Sequence, residues 1–104
     1  MKIITYDEWI KLSFEDRINF TGIVFDINGM KHYVKHGQRH REDGPALISL
    51  DGVELYYQNG KAHRIDGPAV IHPDGYVQYW INGEQISKEA QELYYVLYKL
   101  KGLI

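Results

Sequence analysis

The sequence lacks cysteine altogether, has no excess of basic residues and contains no long apolar run. Without cysteine neither a disulfide framework nor a thiolate metal site can form, and nothing calls for an oxidising compartment. Twelve Lys and Arg stand against fourteen Asp and Glu, a formal net charge of -2. The counterion release that drives binding to a phosphate backbone has no basic surface to start from, so nucleic acid is not the expected partner. No segment approaches the ~18 apolar residues of a membrane span. The opening residues carry Asp7 and Glu8 in place of the apolar stretch of a signal peptide, and we expect a protein that stays in the cytoplasm. Common catalytic motifs are missing too: there is no Gly-x-Ser-x-Gly, no His-Glu-x-x-His and no glycine loop leading into a helix.

What the sequence has instead is a repeat. His-Arg-Glu-Asp-Gly-Pro-Ala at 40–46 returns as His-Arg-Ile-Asp-Gly-Pro-Ala at 63–69, a period of 23 residues. The agreement continues in Asp51-Gly52 with Asp74-Gly75, Tyr56 with Tyr79, and Asn59-Gly60 with Asn82-Gly83. One period upstream, Asn28-Gly29 takes the place of Asp51-Gly52 and Tyr33 that of Tyr56, which marks a degraded first copy. A chain of 104 residues forms one domain with one modest core. Its nine tyrosines suit thin β units that large side chains must fill.

Taken in order, Thr5-Tyr-Asp-Glu8 has capping-box form and predicts a helix over 6–12, with Trp9 and Leu12 at helical spacing. Ser13 is a second N-cap, predicting a helix that sets Phe14 and Ile18 against the first edge of the sheet and ends at Gly22. From Gly22 the apolar period becomes two. Asn28-Gly29, Asp51-Gly52 and Asp74-Gly75 each predict a two-residue hairpin turn, which fixes register by arithmetic. Ile23 then faces Val34, Phe25 faces His32 and Ile27 faces Met30; the next copies pair Ala46 with Tyr57, Ile48 with Leu55, Leu50 with Val53, Ala69 with Trp80, Ile71 with Gln78, and Pro73 with Tyr76. That face is the expected core. The other carries Val24, Leu47, Val70 and His72 together with the tyrosine ladder Tyr33, Tyr56 and Tyr79.

Asn59-Gly60, Asn82-Gly83 and His36-Gly37 close further turns, which place Tyr33 opposite His40 and Tyr56 opposite His63. The segment His-Arg-x-Asp-Gly-Pro reads as a corner, because proline has no ladder donor and Asp-Gly favours a turn. After Gly83, Ser87 caps a last helix reaching about Lys101, with Leu93, Val96, Leu97 and Leu100 as its stripe. The expected fold class is α+β: an antiparallel meander of three 23-residue β-hairpin repeats over 22–86, capped by two short N-terminal helices within 1–21 and one C-terminal helix within 87–104.

Gly-x-x-His-Arg-x-Asp-Gly-Pro-Ala, followed by Asp-Gly and Tyr-(Tyr/Trp)-x-Asn-Gly, resembles the MORN-variant hairpin repeats of bacteriophage and large DNA virus proteins. The resemblance covers 22–86 and implies a non-enzymatic β-repeat scaffold for binding, with no catalytic residues to carry over. Copy one departs from the pattern at Phe20-Thr21-Gly22, where Asp-Gly-Pro would stand.

The most reactive-looking groups are His40, Arg41 and Asp43, and again His63, Arg64 and Asp66. Histidine near aspartate can act as an acid–base pair. The structural alternative, in which each aspartate accepts turn or arginine hydrogen bonds, is preferred because a corner needs the motif twice and a catalytic centre does not. His32, His36, His40, His63 and His72 are potential ligands, but a step of four residues aligns ligands on a helix and this stretch reads as strand and turn, so no metal or cofactor is expected. The candidate binding residues are Tyr33, Tyr56, Tyr79, His40, Arg41, His63 and Arg64, with Tyr94, Tyr95 and Tyr98 as a partner-binding helix face. The leading expectation is a phage accessory protein that binds and inhibits a host protein in the host cytoplasm. The alternatives are a sponge for a nucleotide immune signal, in which tyrosine and arginine stack a base, and last a small hydrolase using the repeat His and Asp. A homodimer through an open sheet edge or the last helix is a further expectation.

Overall fold

A computed structural model describes residues 2–103. Met1 and Ile104, the outermost residues of the two terminal segments assigned above, lie outside the described residues. Two helices begin where their caps are written. In α1 (Tyr6–Lys11) the Thr5 hydroxyl accepts from the Glu8 N–H at 3.3 Å while the Glu8 carboxylate accepts from the Thr5 N–H at 3.2 Å. In α2 (Phe14–Ile18) Ser13 accepts from the Asp16 N–H at 3.1 Å. Ahead of them lies a strand that the sequence reading missed, β1 (Lys2–Thr5), running parallel to β2 (Gly22–Phe25).

Two expectations at this end are corrected. Gly22 does not end α2, which stops at Asn19; it lets β1 approach, since a Cβ there would sit 2.3 Å from the Lys2 carbonyl oxygen. Phe14 and Ile18 do not close the sheet: they are 79% and 46% exposed. A five-residue helix offers one inward turn, and Ile4, Trp9 and Leu12 take the space instead, packing on Phe20, Val24 and Val34. Trp9 meets Phe20 edge-on at 5.7 Å.

The remaining strands are β3 (Lys31–Lys35), β4 (Gln38–Arg39), β5 (Leu47–Ile48), β6 (Glu54–Leu55), β7 (Tyr57–Gln58), β8 (Lys61–Ala62), β9 (Val70–Ile71), β10 (Val77–Ile81) and β11 (Glu84–Ile86), followed by the helix α3 (Lys88–Leu100). The main sheet runs β1-β2-β3-β5-β6-β9-β10-β11, with β4 branching from β3 and β7–β8 as a separate hairpin. All pairings but β1–β2 are antiparallel, and the fold is mixed α+β.

The hairpin register differs by one residue from the two-residue prediction. Val24 pairs with His32, Leu47 with Leu55, and Val70 with Gln78. The loops are three residues long. Asp26, Ser49 and His72 each donate N–H to the carbonyl of the residue four ahead, and Gly29, Gly52 and Gly75 each donate back to the carbonyls of Asp26, Ser49 and His72 at 2.9–3.0 Å. Only the glycine of each pair has positive φ, 81°, 90° and 94°; Asn28, Asp51 and Asp74 do not, which excludes a type I′ turn and leaves a type I turn with a glycine bulge. The polar side chains decide this. Asp26 accepts from the Asn28 and Met30 N–H groups, Ser49 from Val53, and Asp74 from Tyr76.

A one-residue slip turns one strand of each hairpin over. Ile23, Tyr33, Ala46, Tyr56, Ala69 and Tyr79 now form one row across the sheet, and Val24, His32, Leu47, Leu55, Val70 and Gln78 form a row on the opposite face. The expected core pairing is therefore overturned, and Ile27, Leu50 and Tyr76 project to solvent at 79%, 73% and 54%. Burial falls on both faces, at Ile23, Ala46 and Ala69 on one and Val24, Leu47 and Val70 on the other.

The last helix is also turned over relative to its expected stripe. Ser87 caps it as predicted. Its inward residues are Gln91, Tyr95 and Tyr98, and the Gln91 amide donates to the Ile65 carbonyl. Leu93, Val96, Leu97 and Leu100 lie outside. The reason is the surface beneath: α3 covers a polar corner with a carbonyl in need of a donor, which suits an amide and two tyrosines better than leucine.

The close approach at Gly22 can be tested by alanine. Gly22→Ala must push β1 away and is expected to cost more than about 2 kcal/mol, whereas Gly75→Ala meets no atom within 4 Å and should cost only the ~1 kcal/mol of its positive φ; urea unfolding of both variants checks the order.

Candidate functional site

The repeated motif locks neighbouring stretches of chain together. Asn59-Gly60 is a type I′ turn with φ of 52° and 79°, which exposes two N–H groups on one side. Gly60 donates to the Arg39 carbonyl at 2.9 Å and Asn59 to His40 Nδ1 at 3.0 Å. Twenty-three residues on, Gly83 donates to the Ala62 carbonyl at 2.9 Å and Asn82 to His63 Nδ1 at 3.0 Å. At the N-terminal end, where the motif is missing, Gly37 donates to the Phe20 carbonyl at 2.9 Å and His36 to the Thr21 hydroxyl at 3.1 Å. A threonine oxygen there does what imidazole does twice elsewhere.

The arginines complete the corners. Arg41 and Arg64 donate backbone N–H to the Tyr57 and Trp80 carbonyls at 3.2 and 3.1 Å. Their guanidinium carbons lie 4.0 Å from the ring centres of Tyr33 and Tyr56. Nε donates to Asp43 or Asp66 at 3.0 Å, and Nη1 to the Pro45 or Pro68 carbonyl at 3.2 Å. Gly44 and Gly67 leave room for this: a Cβ on either would come within 3.1 Å of the guanidinium carbon. Each motif residue thus has a partner inside the fold.

This arrangement sets the chemistry. An imidazole that accepts a backbone N–H at Nδ1 is neutral and carries its proton on Nε2. Burial also pushes the pKa of His63 below its ordinary value. The motif aspartates are engaged by arginine. The His–Asp pair that does form lies elsewhere: His32 Nε2 is 2.8 Å from Asp26 Oδ2, and Arg39 Nε donates to His32 Nδ1 at 3.1 Å. The His32 hydrogen bond is the main reason the Asp26 carboxyl is held below the usual carboxylate range. Sequence reasoning missed this cluster because the two-residue register put Asp26 and His32 on opposite faces.

Two clefts flank the ridge made by Glu42 and Asp43. The first, about 740 Å³, takes in Tyr33, His40 and Arg41. The second, about 580 Å³, brings Tyr56, His63 and Arg64 of one corner together with Tyr95, Tyr98 and Lys99 of α3. The expected binding residues therefore converge as two groups, not as one ladder. Tyr79 lines neither cleft; it pairs with Ile86 between β10 and β11. Tyr94 lines neither as well, and Tyr95 and Tyr98 face the cleft, so these three do not form one outward face of α3. Glu42 and Lys99 belong to the second cleft without having been singled out, because only the fold brings the helix and the neighbouring corner together there. Among the described residues no three His, Asp or Glu side chains gather as a possible metal site. His36 sits in a turn and His72 lies against the Tyr76 ring at 5.2 Å. Among the described residues no helix is long and apolar enough to cross a membrane.

Compared with protein-family models, curated proteins and solved structures, the chain matches none.

Two predictions follow from the corner. Arg64→Lys keeps the charge but loses the flat stack on Tyr56 and the fork to Asp66 and Pro68, and is expected to cost about 1–2 kcal/mol in urea unfolding, close to the loss in Arg64→Ala. The second concerns pH. Because the folded pKa of His63 is depressed, the unfolded chain binds more protons once pH falls below ~6.5, and stability drops from there toward the lower folded value. The melting temperature should be lower at pH ~5 than at pH ~7.5, a window above the one in which Asp26 titrates. His63→Thr, which copies the Thr21 contact, should flatten this part of the profile.

Proposed function

We propose that the chain is a non-enzymatic binding protein built as three hairpin repeats, with helical caps at both ends, and that it docks a protein partner in the cleft between the second corner and α3. The observation that carries this reading is how the groups of the second cleft are used. His63, Arg64 and Asp66 are tied up in internal bonds, while Tyr95 and Tyr98 line a cavity next to them and Glu42 on its rim, though it meets His40 Nε2 at 3.4 Å, keeps most of its side chain open to solvent. Glu42 is 74% exposed at its side chain. Tyrosine walls beside a carboxylate suit a cationic side chain on a protein surface. The hydrolase reading is weaker, since the His63 Nδ1 lone pair already serves Asn82. The nucleotide reading is weaker too, because Glu42, Asp43 and Asp66 border the cleft that would take the phosphates.

The resemblance of the repeat to viral hairpin repeats supports a phage accessory protein acting on a host factor in the host cytoplasm. Affinity capture from host lysate tests this. The wild-type chain is expected to retain one host protein, and Glu42→Lys to lose it, with at least a tenfold drop in affinity and an unchanged melting temperature. A panel of nucleotides should leave the melting temperature unmoved; a rise with any of them would favour the sponge.

A further inference from the structure

We propose that the outward stripe of α3 is a two-fold interface with a second copy of this chain. The apolar stripe lies on the side of the helix opposite the cleft, and the two surfaces share only Lys99 at their common edge. At ~100° per residue, Gln91, Tyr95 and Tyr98 centre on one side of α3, and Leu93, Val96, Leu97 and Leu100 on the side about 180° away. The inward side is committed to the corner. The outward four are 59%, 51%, 41% and 79% exposed, a run of apolar surface over the last two turns of the helix.

The choice of a second copy over a foreign helix rests on self-complementarity. Laid antiparallel across a two-fold axis between Val96 and Leu97, the stripe sets Leu93 against Leu100 of the second copy and Val96 against its Leu97, with like heights on both sides. In such a pair each flank of one helix meets the same flank of the other. Glu92 and Lys99 lie two turns apart on one flank, so the same operation brings Glu92 of each copy to the same flank as Lys99 of the other, offset by two residues or about 3 Å along the axis, a gap that their long side chains span to form two ion pairs. In a parallel pair opposite flanks meet, so Glu92 and Lys99 of the two copies would lie on opposite sides of the interface and form no such pairs. Lys99 rests 5.4 Å from the Tyr95 ring, which holds its ammonium near the helix. Thirteen residues of helix cover less than the ~800 Å² per partner of a standard interface, so the dimer is concentration-dependent, with a dissociation constant on the order of micromolar or weaker.

Sedimentation equilibrium of the full chain across a wide concentration range tests this. The wild type should pass from monomer to dimer. Leu97→Glu, on an exposed position with Lys101 one turn on, should stay helical by circular dichroism and remain monomeric. Glu92→Lys should weaken the dimer at least tenfold, and Glu92→Lys combined with Lys99→Glu should restore it. A wild type that is monomeric throughout overturns the proposal, as does a dimer that survives Leu97→Glu. A double exchange that fails to rescue overturns the antiparallel geometry and with it the proposal. A monomer that binds a host protein through Leu97 would assign the stripe to a foreign partner instead.

Discussion

The contact on which the structure depends is the one between a tight turn and the imidazole of the preceding corner. Hairpins of two or three residues per strand cannot stand alone in water. Each must be held by its neighbour, and the N–H groups of Asn59 and Asn82, bound to His40 and His63, supply that hold at the end where the sheet branches. The arginine of the same corner closes the other side by stacking on a tyrosine and bonding a proline carbonyl. Ala46 and Ala69, both fully buried, show how tightly the chain passes beneath. A larger side chain there would lift the strand from the row of tyrosines.

This explains why reactive residues recur without forming a reactive centre. Histidine is used for a lone pair placed at a fixed distance from the backbone, arginine for a flat cation that stacks and forks, and aspartate to orient that cation. Threonine serves in place of histidine at Thr21, where only the acceptor is needed. The surfaces left over are then the places to look for binding: the cleft between the Glu42 ridge and α3, and the apolar outer side of α3 itself.

Much of this was legible in the residues. The period, the corners, the turns at Asn59-Gly60 and Asn82-Gly83, and the caps Thr5, Ser13 and Ser87 all rest on interactions within a few positions, and local chemistry decides them. The hairpin loops were misread because Asn-Gly and Asp-Gly serve two loop lengths equally well, and the difference of one residue inverts a face. The polar groups of Asp26, Ser49 and Asp74, which bond the loop N–H groups, were the available signal. β1 left no comparable signal, for a four-residue parallel strand is recognised only by what it lies against.

The sequence by itself determined the repeat, the three helix starts with their caps, the turn positions and the use of the motif aspartates as acceptors, because these are short-range and set by side-chain chemistry. The tertiary structure alone decided which strand face is buried, which side of α3 points inward and which residues share a cleft. Those outcomes turn on competition among distant surfaces. A helix with leucine on one side and tyrosine and glutamine on the other can be turned either way, and only the polar corner beneath it, with the Ile65 carbonyl awaiting a donor, settles the choice.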